Sequence, residues 1–219
     1  MDVDFNLQLP AAKGRYMNTR ERILKIPFVY KALTLLVSPA SLAADTVNDF
    51  LTVPDGSKVL DLGCGYGEIA KFFVGRTHYV GIDSNAGYID EAKRRFQGTN
   101  AQFIAADIGD PEVLALGPFD LVLLTGVLHH LPSELVRELA EASKGLVSPT
   151  GRFVAVEPVF APDQRLSARL VIAADRGRYV RDAEGYVSLL RSGFENVNAE
   201  VLHGRLRIPY SHAILTCSN

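Results

Sequence analysis

The stretch Val59-Leu60-Asp61-Leu62-Gly63-Cys64-Gly65-Tyr66-Gly67-Glu68 limits what this chain can fold into more than any other. An apolar run from Lys58 to Leu62 leads without a break into three glycines spaced two apart, and a helical pattern begins beyond them. Glycine serves where backbone must turn with positive φ or let a ligand come within contact distance. A strand, a glycine turn and a helix in that order place unpaired helix N–H groups and a positive dipole end around a ligand. The next apolar run, His78-Tyr79-Val80-Gly81-Ile82-Asp83, ends in an acid twenty positions after Gly63. A carboxylate there can accept both hydroxyls of an adenosine ribose. Two ligands compete for such a turn, NAD(P) and S-adenosylmethionine. The dinucleotide fingerprint has its third glycine three positions after the second, whereas Gly67 follows Gly65 by two and Glu68 fills the three-position slot. The spacing favours the methionine-type ligand.

From Lys58 onward the pattern alternates strand and helix, which predicts a parallel sheet covered on both faces. A helix over 85–97 carries Tyr88, Ile89, Ala92 and Phe96 at one-face spacing. Ala101 to Ala106 reads as a third strand and Phe119 to Leu124 as a fourth, near-continuously apolar as a doubly covered strand requires. Pro132 suits the first turn of a helix whose Leu135, Leu139, Ala142 and Leu146 face the sheet. Ser148-Pro149-Thr150-Gly151 is expected to turn the chain into a fifth strand, Arg152 to Val156. Between Glu157 and Phe194 the sequence is helix-like, with one apolar stripe at Leu166, Leu170, Val171 and Ala174 and another at Tyr186, Leu189 and Leu190. Two runs, Asn196 to Leu202 and Leu206 to Thr216, are expected to close the sheet as a hairpin.

Asp61-Leu-Gly-Cys-Gly-Tyr-Gly67 resembles the first motif of class I S-adenosylmethionine-dependent methyltransferases, and three further blocks follow in that family's order. Gly81-Ile-Asp83-Ser84 is similar to the ribose-binding acidic turn, and Ala106-Asp107-Ile108 to the turn that holds the adenine. Phe119 to Leu131, with Thr125, Gly126, His129 and His130, is similar to the fourth strand and the loop after it. The resemblance implies an α/β fold: a doubly wound, mostly parallel seven-stranded Rossmann-like sheet with an antiparallel last strand. It implies S-adenosylmethionine as cofactor, S-adenosylhomocysteine as product, and a cofactor set of Asp61, Gly63, Cys64, Gly65, Gly67, Asp83, Ser84, Asp107, Ile108, Thr125 and Gly126. Asp61 is expected to orient the methionine amino group through water or the glycine loop. The expected organisation is one methyltransferase domain over 1–219. Within it lie an N-terminal helical cap over 1–53, a cofactor core over 54–158, a helical insertion over 159–193 and closing strands over 194–219.

Composition bounds the rest. With 219 residues, 47% of them apolar and 22% charged, the chain can bury one ordinary α/β core. A net charge of -2 gives no support to a general nucleic-acid binder. Cys64 and Cys217 are the two cysteines, so a disulfide framework is not expected and a reducing cytoplasm is the default. The most apolar run, Ile26 to Val37, is too short for a membrane span and is interrupted by Lys31. The basic residues around it, next to Phe28, Tyr30 and Leu33, allow at most a peripheral contact with anionic lipid. A monomer or homodimer is expected.

Methyl transfer asks little of the protein, because a sulfonium-bound methyl is already an activated electrophile. Aligning the two reactants can supply about 7–11 kcal/mol, and a general base adds about 10²–10⁴-fold. An imidazole in water titrates near pH 6.5 and can take a proton at physiological pH, which makes His129 and His130 the candidate bases. Tyr30, Glu157, Arg176 and Tyr179 are the candidate acceptor-binding residues, with Glu157 and Pro158 equally readable as a turn at the end of the fifth strand. The arginines at 165, 169, 176, 178 and 181 form either a solvated helix face or a binding surface for a phosphate or carboxylate. Residues 125–128 read Thr-Gly-Val-Leu, unlike the Asp/Asn-Pro-Pro-Tyr/Phe box of enzymes that methylate amino groups of nucleic-acid bases. No Asp ends the fourth strand and no Asp-Asn pair ends the fifth, so no metal is expected. The expected activity is methylation of a small molecule, with oxygen as the preferred acceptor atom. RNA or protein methylation and a catalytically inactive cofactor-binding interaction domain are the alternatives.

Overall fold

The apolar run at Lys58–Leu62 forms β1 at the centre of a seven-stranded sheet, with His78–Asp83 as β2, Gln102–Ala105 as β3, Phe119–Thr125 as β4 and Val147–Pro158 as β5. Asn196–His203 is β6 and Ser211–Ser218 is β7. The computed structural model describes residues 49–173, 178–205 and 208–219. Most of the expected N-terminal cap, including Tyr30, therefore lies outside the described residues, as do Ala174, Arg176, Leu206 and Arg207. The strand order is β3-β2-β1-β4-β5-β7-β6. β7 runs antiparallel to both its neighbours and the remaining pairs are parallel, as the resemblance implied. No helix among the described residues is long and apolar enough to cross a membrane.

Burial follows from the apolar patterning. β1 and β4 are covered on both faces, which is why they read as continuous apolar runs. On one face the rings of Phe73, Tyr79, Phe103 and Phe96 follow one another at centroid spacings of 6.1, 5.7 and 5.5 Å. Removing a Phe or Leu from water in such a layer contributes about 1.5–3 kcal/mol.

Among the described residues, helices run over Ala86–Arg95 (α1), Pro111–Leu114 (α2), Ser133–Lys144 (α3), Leu166–Ala173 (α4) and Ala183–Leu190 (α5). α1 begins at Asn85, whose side chain accepts the N–H groups of Gly87 at 3.0 Å and Tyr88 at 3.3 Å. It buries Ile89 and Ala92 and ends on Lys93, Arg94 and Arg95, which favours the negative end of the helix dipole.

Four local expectations are corrected. The helix expected after the glycine loop is a 3₁₀ turn, Ala70–Phe72. Gly67 and Gly75, with positive φ of 71° and 88°, bound the segment on either side. Ser148 to Gly151 does not precede β5 but bulges within it, shifting the register between Phe119–Val147 and Leu121–Arg152. α3 presses Val136, Ala140 and Ser143 onto the fold, while Leu135, Leu139 and Ala142 are half-buried at its flanks. Small side chains at that spacing let the helix settle close to its neighbours. On α4 the buried residues are Ala168 and Ile172, and the expected stripe members Leu166 and Leu170 are 79% and 70% exposed. The stripe on α5 is as expected, with Tyr186, Leu189 and Leu190 buried.

Candidate active site

The parallel strands end together. Asp61 lies beside Gly81 and Leu123, Asp83 beside Ala105, and Thr125 beside Val156, so the loops after them share one edge of the sheet. The glycine loop folds over that edge and is tied to β2. The N–H groups of Gly63 and Cys64 both donate to Ile82 O, at 2.7 and 2.9 Å. Gly63 and Gly65 have φ of 79° and 54°. A Cβ on Gly63 would stand 2.9 Å from Val127 Cγ2, whereas one on Gly65 would meet nothing within 4 Å. Gly63 is therefore held by close packing, and Gly65 leaves its backbone open for a ligand to approach, forming the cradle of the loop.

Asp83 faces that cradle. Its Oδ2 accepts from Gly65 N at 3.0 Å and its Oδ1 from Asn85 N at 2.8 Å. Burial raises its carboxyl above the ordinary carboxylate value, and these two N–H groups oppose the rise. Each oxygen retains lone-pair capacity for a further donor, as a pair of vicinal hydroxyls requires. Ser84 is exposed at the bend before α1. The turn after β3 is brought alongside by Ala106 N, which donates to Asp83 O at 3.1 Å. There Asp107 Oδ1 accepts from Gly109 N at 3.0 Å, and Ile108 is half-buried beside it.

Beneath the loop, Asp61 is buried and accepts from Tyr79 Oη at 2.5 Å. Burial lifts its carboxyl from 3.8 to about 6, the phenol pulls it down, and the charge of Asp83 adds to the rise. Tyr79 was not anticipated here; an aromatic hydroxyl inside an apolar strand that must find a partner was the available signal. Cys64 is buried against Gly81, and burial pushes its thiol well above the ordinary range, so it is a packing residue in this structure.

Past Thr125, which is exposed, Gly126 turns the chain with a φ of 67°, and its N–H donates to Val156 O at 2.9 Å. The 3₁₀ turn Leu128–His130 follows. His129 is 5% exposed, His130 is half-buried, and their rings lie 4.0 Å apart. Glu157, expected to touch the acceptor, is 0% exposed and its carboxylate is committed elsewhere. Oε1 accepts from Val127 N at 2.9 Å and Leu128 N at 2.8 Å. Oε2 accepts from His129 N at 3.2 Å and contacts His129 Nδ1 at 2.6 Å. The correction has a physical cause: a carboxylate closing an apolar strand cannot stay buried without such donors. That requirement was the sequence signal for its real place. A carboxylate partner on Nδ1 selects the tautomer protonated there and leaves the Nε2 lone pair as the acceptor.

Tyr179 is 40% exposed and its N–H donates to His129 O at 3.0 Å. The arginines divide. Arg165, Arg169 and Arg178 are exposed, with Arg169 over the Phe160 ring at 5.3 Å, while Arg181 is half-buried among backbone carbonyls.

A sheet of this order with a reversed seventh strand, and a glycine loop answered by an acid on the second, match the arrangement of the class I S-adenosylmethionine-dependent methyltransferases that the chain resembles. A family model described as a methyltransferase domain matches residues 59–151. An uncharacterised methyltransferase of Mycobacterium bovis is 36% identical over 106 residues, covering 48% of this chain and 52% of that protein. A trans-aconitate 2-methyltransferase of Methylobacterium nodulans is 34% identical over 139 residues, covering 54% of this chain and 49% of that protein. Such matches span from 32% to 52% of the curated relatives' own length. A solved structure described as PigF with SAH superposes with a TM-score of 0.64 at 20% identity, over 88% of this chain and 57% of that one, a likeness of fold.

Proposed function

We propose that this chain transfers the methyl group of S-adenosylmethionine to an oxygen of a small molecule, with His129 as the base. The observation that carries the reading is the buried 2.6 Å contact between Glu157 and His129 Nδ1, just past the Gly126 turn at the carboxyl end of β4. Bound in the cradle, the cofactor supplies a methyl carbon on a positively charged sulfur, ready for displacement. Asp83 would hold the ribose hydroxyls, the turn at Asp107 and Ile108 the adenine, and the glycine loop with Asp61 beneath it the methionine end. His129 Nε2 would take the hydroxyl proton as the acceptor oxygen forms its bond to the methyl carbon and the carbon–sulfur bond breaks. Glu157 keeps the Nδ1 proton in place and stabilises the imidazolium formed.

A relative named for methylating trans-aconitate supports a small-molecule acceptor, although an acceptor of that kind offers carboxylates and asks for no base. Thr125 rather than an Asp ends β4, and Glu157-Pro158 rather than an Asp-Asn pair ends β5, unlike a magnesium-dependent catechol-type site. Residues 159–193, with Tyr179 beside the His129 turn, are assigned to the acceptor side. The test is to incubate the protein with methyl-labelled S-adenosylmethionine and three separate acceptor sets: hydroxylated small molecules, RNA and protein. S-adenosylhomocysteine formed with a hydroxylated small molecule supports the reading, and formation only with RNA or protein refutes the acceptor class. Thermal stabilisation by S-adenosylhomocysteine without turnover on any set would leave a binding domain and refute the enzyme.

A further inference from the structure

The turn that carries His129 is held from both ends. At its amino end Glu157 takes the N–H groups of Val127, Leu128 and His129. At its carboxyl end the guanidinium of Arg181 reaches the carbonyls. Nη1 donates to Leu128 O at 3.2 Å, and Nη2 donates to Leu131 O at 2.9 Å and to Ser133 Oγ at 3.3 Å. Nη1 also donates to Tyr179 O at 2.9 Å, and Tyr179 N–H donates to His129 O at 3.0 Å. An anion at the N–H end and a cation at the carbonyl end match the dipole of the short helical turn between them.

Arg181 is itself held. Its backbone pairs with Val159, its carbonyl accepts from Phe160 N at 3.1 Å, and its N–H donates to the Tyr186 hydroxyl at 3.4 Å. The guanidinium lies over the rings of Tyr186 and Tyr179, at 5.6 and 5.8 Å from their centroids. Tyr186 is fully buried and its hydroxyl donates to Pro158 O at 3.1 Å, so the platform under the cation is anchored to the end of β5. Arg181 is thus engaged with four oxygen acceptors from two segments of chain, 128–133 and its own neighbour Tyr179. A planar fork of five donors suits that arrangement, and a single ammonium does not.

We propose that Arg181 is a positioning residue for His129. It pins the carbonyls of the 128–131 turn so that the imidazole, tethered through Nδ1 to Glu157, presents Nε2 in one fixed direction. Through Tyr179 the same cation joins this turn to the segment on the acceptor side. Without it, Glu157 still binds the amino end of the turn, but the Leu128 and Leu131 carbonyls lose their shared partner and the ring acquires alternative orientations.

The inference builds on the proposed role of His129, and its test does not involve methyl transfer. Two-bond proton–nitrogen NMR spectra of the full chain with S-adenosylhomocysteine report the tautomer of each histidine, with His129 assigned by loss of its signals in His129→Gln. The parent should show His129 as the single Nδ1-protonated tautomer. Arg181→Met should shift it toward a tautomer mixture, with unchanged affinity for S-adenosylhomocysteine by calorimetry and a cooperative thermal transition. Arg181→Lys, which reaches one carbonyl at a time, should fall between the two. A folded Arg181→Met that keeps the parent's single tautomer overturns the proposal. If Arg181→Met fails to fold, Arg181→Lys decides: parent-like His129 nitrogen shifts overturn it, and displaced shifts support it. Activity of His129→Ala tests the base separately, so the two ideas fail on different measurements.

Discussion

The phenol of Tyr79 donates to the carboxylate of Asp61 at 2.5 Å directly beneath the glycine loop, and both residues are buried. The loop therefore rests on an acid whose ionisation is opposed by its surroundings. Burial places that carboxyl at about 6, against 3.8 when unfolded. Between these values the folded chain holds the proton more tightly than the unfolded one. Asp61 thus makes stability fall as pH rises through that window, with no further change above it. Asp61→Asn should stabilise the ligand-free protein at pH 7 by at most about 3 kcal/mol. The gain should shrink to a few tenths of a kcal/mol at most near pH 3.5, below both values. Urea unfolding of both proteins at the two pH values checks this, and an equal difference at both would contradict it.

Asp83 engages two backbone N–H groups while facing the cradle. Losing a hydrogen bond to a charged group costs about 1.5–3 kcal/mol, so Asp83→Ala should weaken S-adenosylhomocysteine binding by about 10–150-fold. Calorimetry on the folded variant reads this directly, with the parent's dissociation constant as the contrary result.

Gly63 and Gly65 should respond differently to the same substitution. Gly63→Ala adds a methyl 2.9 Å from Val127 Cγ2 at positive φ, and Gly65→Ala adds one to open space, also at positive φ. Each carries a backbone cost of about 1–3 kcal/mol. Gly63→Ala should lose more stability in urea, while Gly65→Ala should lose more affinity for S-adenosylhomocysteine. Equal losses in both measurements would mean that the cradle lies elsewhere.

For a hydroxyl acceptor, His129→Ala should lower turnover about 10²–10⁴-fold and flatten the acidic limb of the pH profile. His130→Ala should leave that limb in place, because Glu157 holds His129 by the ring. Turnover against pH for both variants separates the two. An unchanged limb in His129→Ala would point to an acceptor that is already anionic, such as a carboxylate.

The fold was legible because its strongest signals are local. Apolar runs, the glycine triplet and the acid at Asp83 each follow from neighbours in sequence, and the seven-stranded sheet with its antiparallel last strand followed from the resemblance they carry. What escaped was set by partners far along the chain. Glu157 reads as a turn residue or an acceptor contact until β4 and β5 bring it to a histidine 28 positions earlier. The buried side of α3 depends on which small residues meet a neighbouring element, and periodicity alone offers two adjacent stripes. Arg181 looks like its exposed neighbours at 165, 169 and 178 until the fold places carbonyls from residues 128 and 131 around it.

The reversal of strand order between β1 and β4 has a consequence for how such a chain can change over time. Everything assigned to the methyl donor through Asp107 and Ile108 comes from β1 to β3 and their loops. Glu157, Tyr179 and Arg181 come from β5 and the segment that follows it directly. Substitutions beyond Glu157 can therefore be sampled without rebuilding the donor half. Two lineages sharing residues 58–108 could part in what they modify while keeping the same donor. A chimera that exchanges only residues 159–193 between such lineages tests that division: a changed acceptor supports it, and an unchanged one contradicts it.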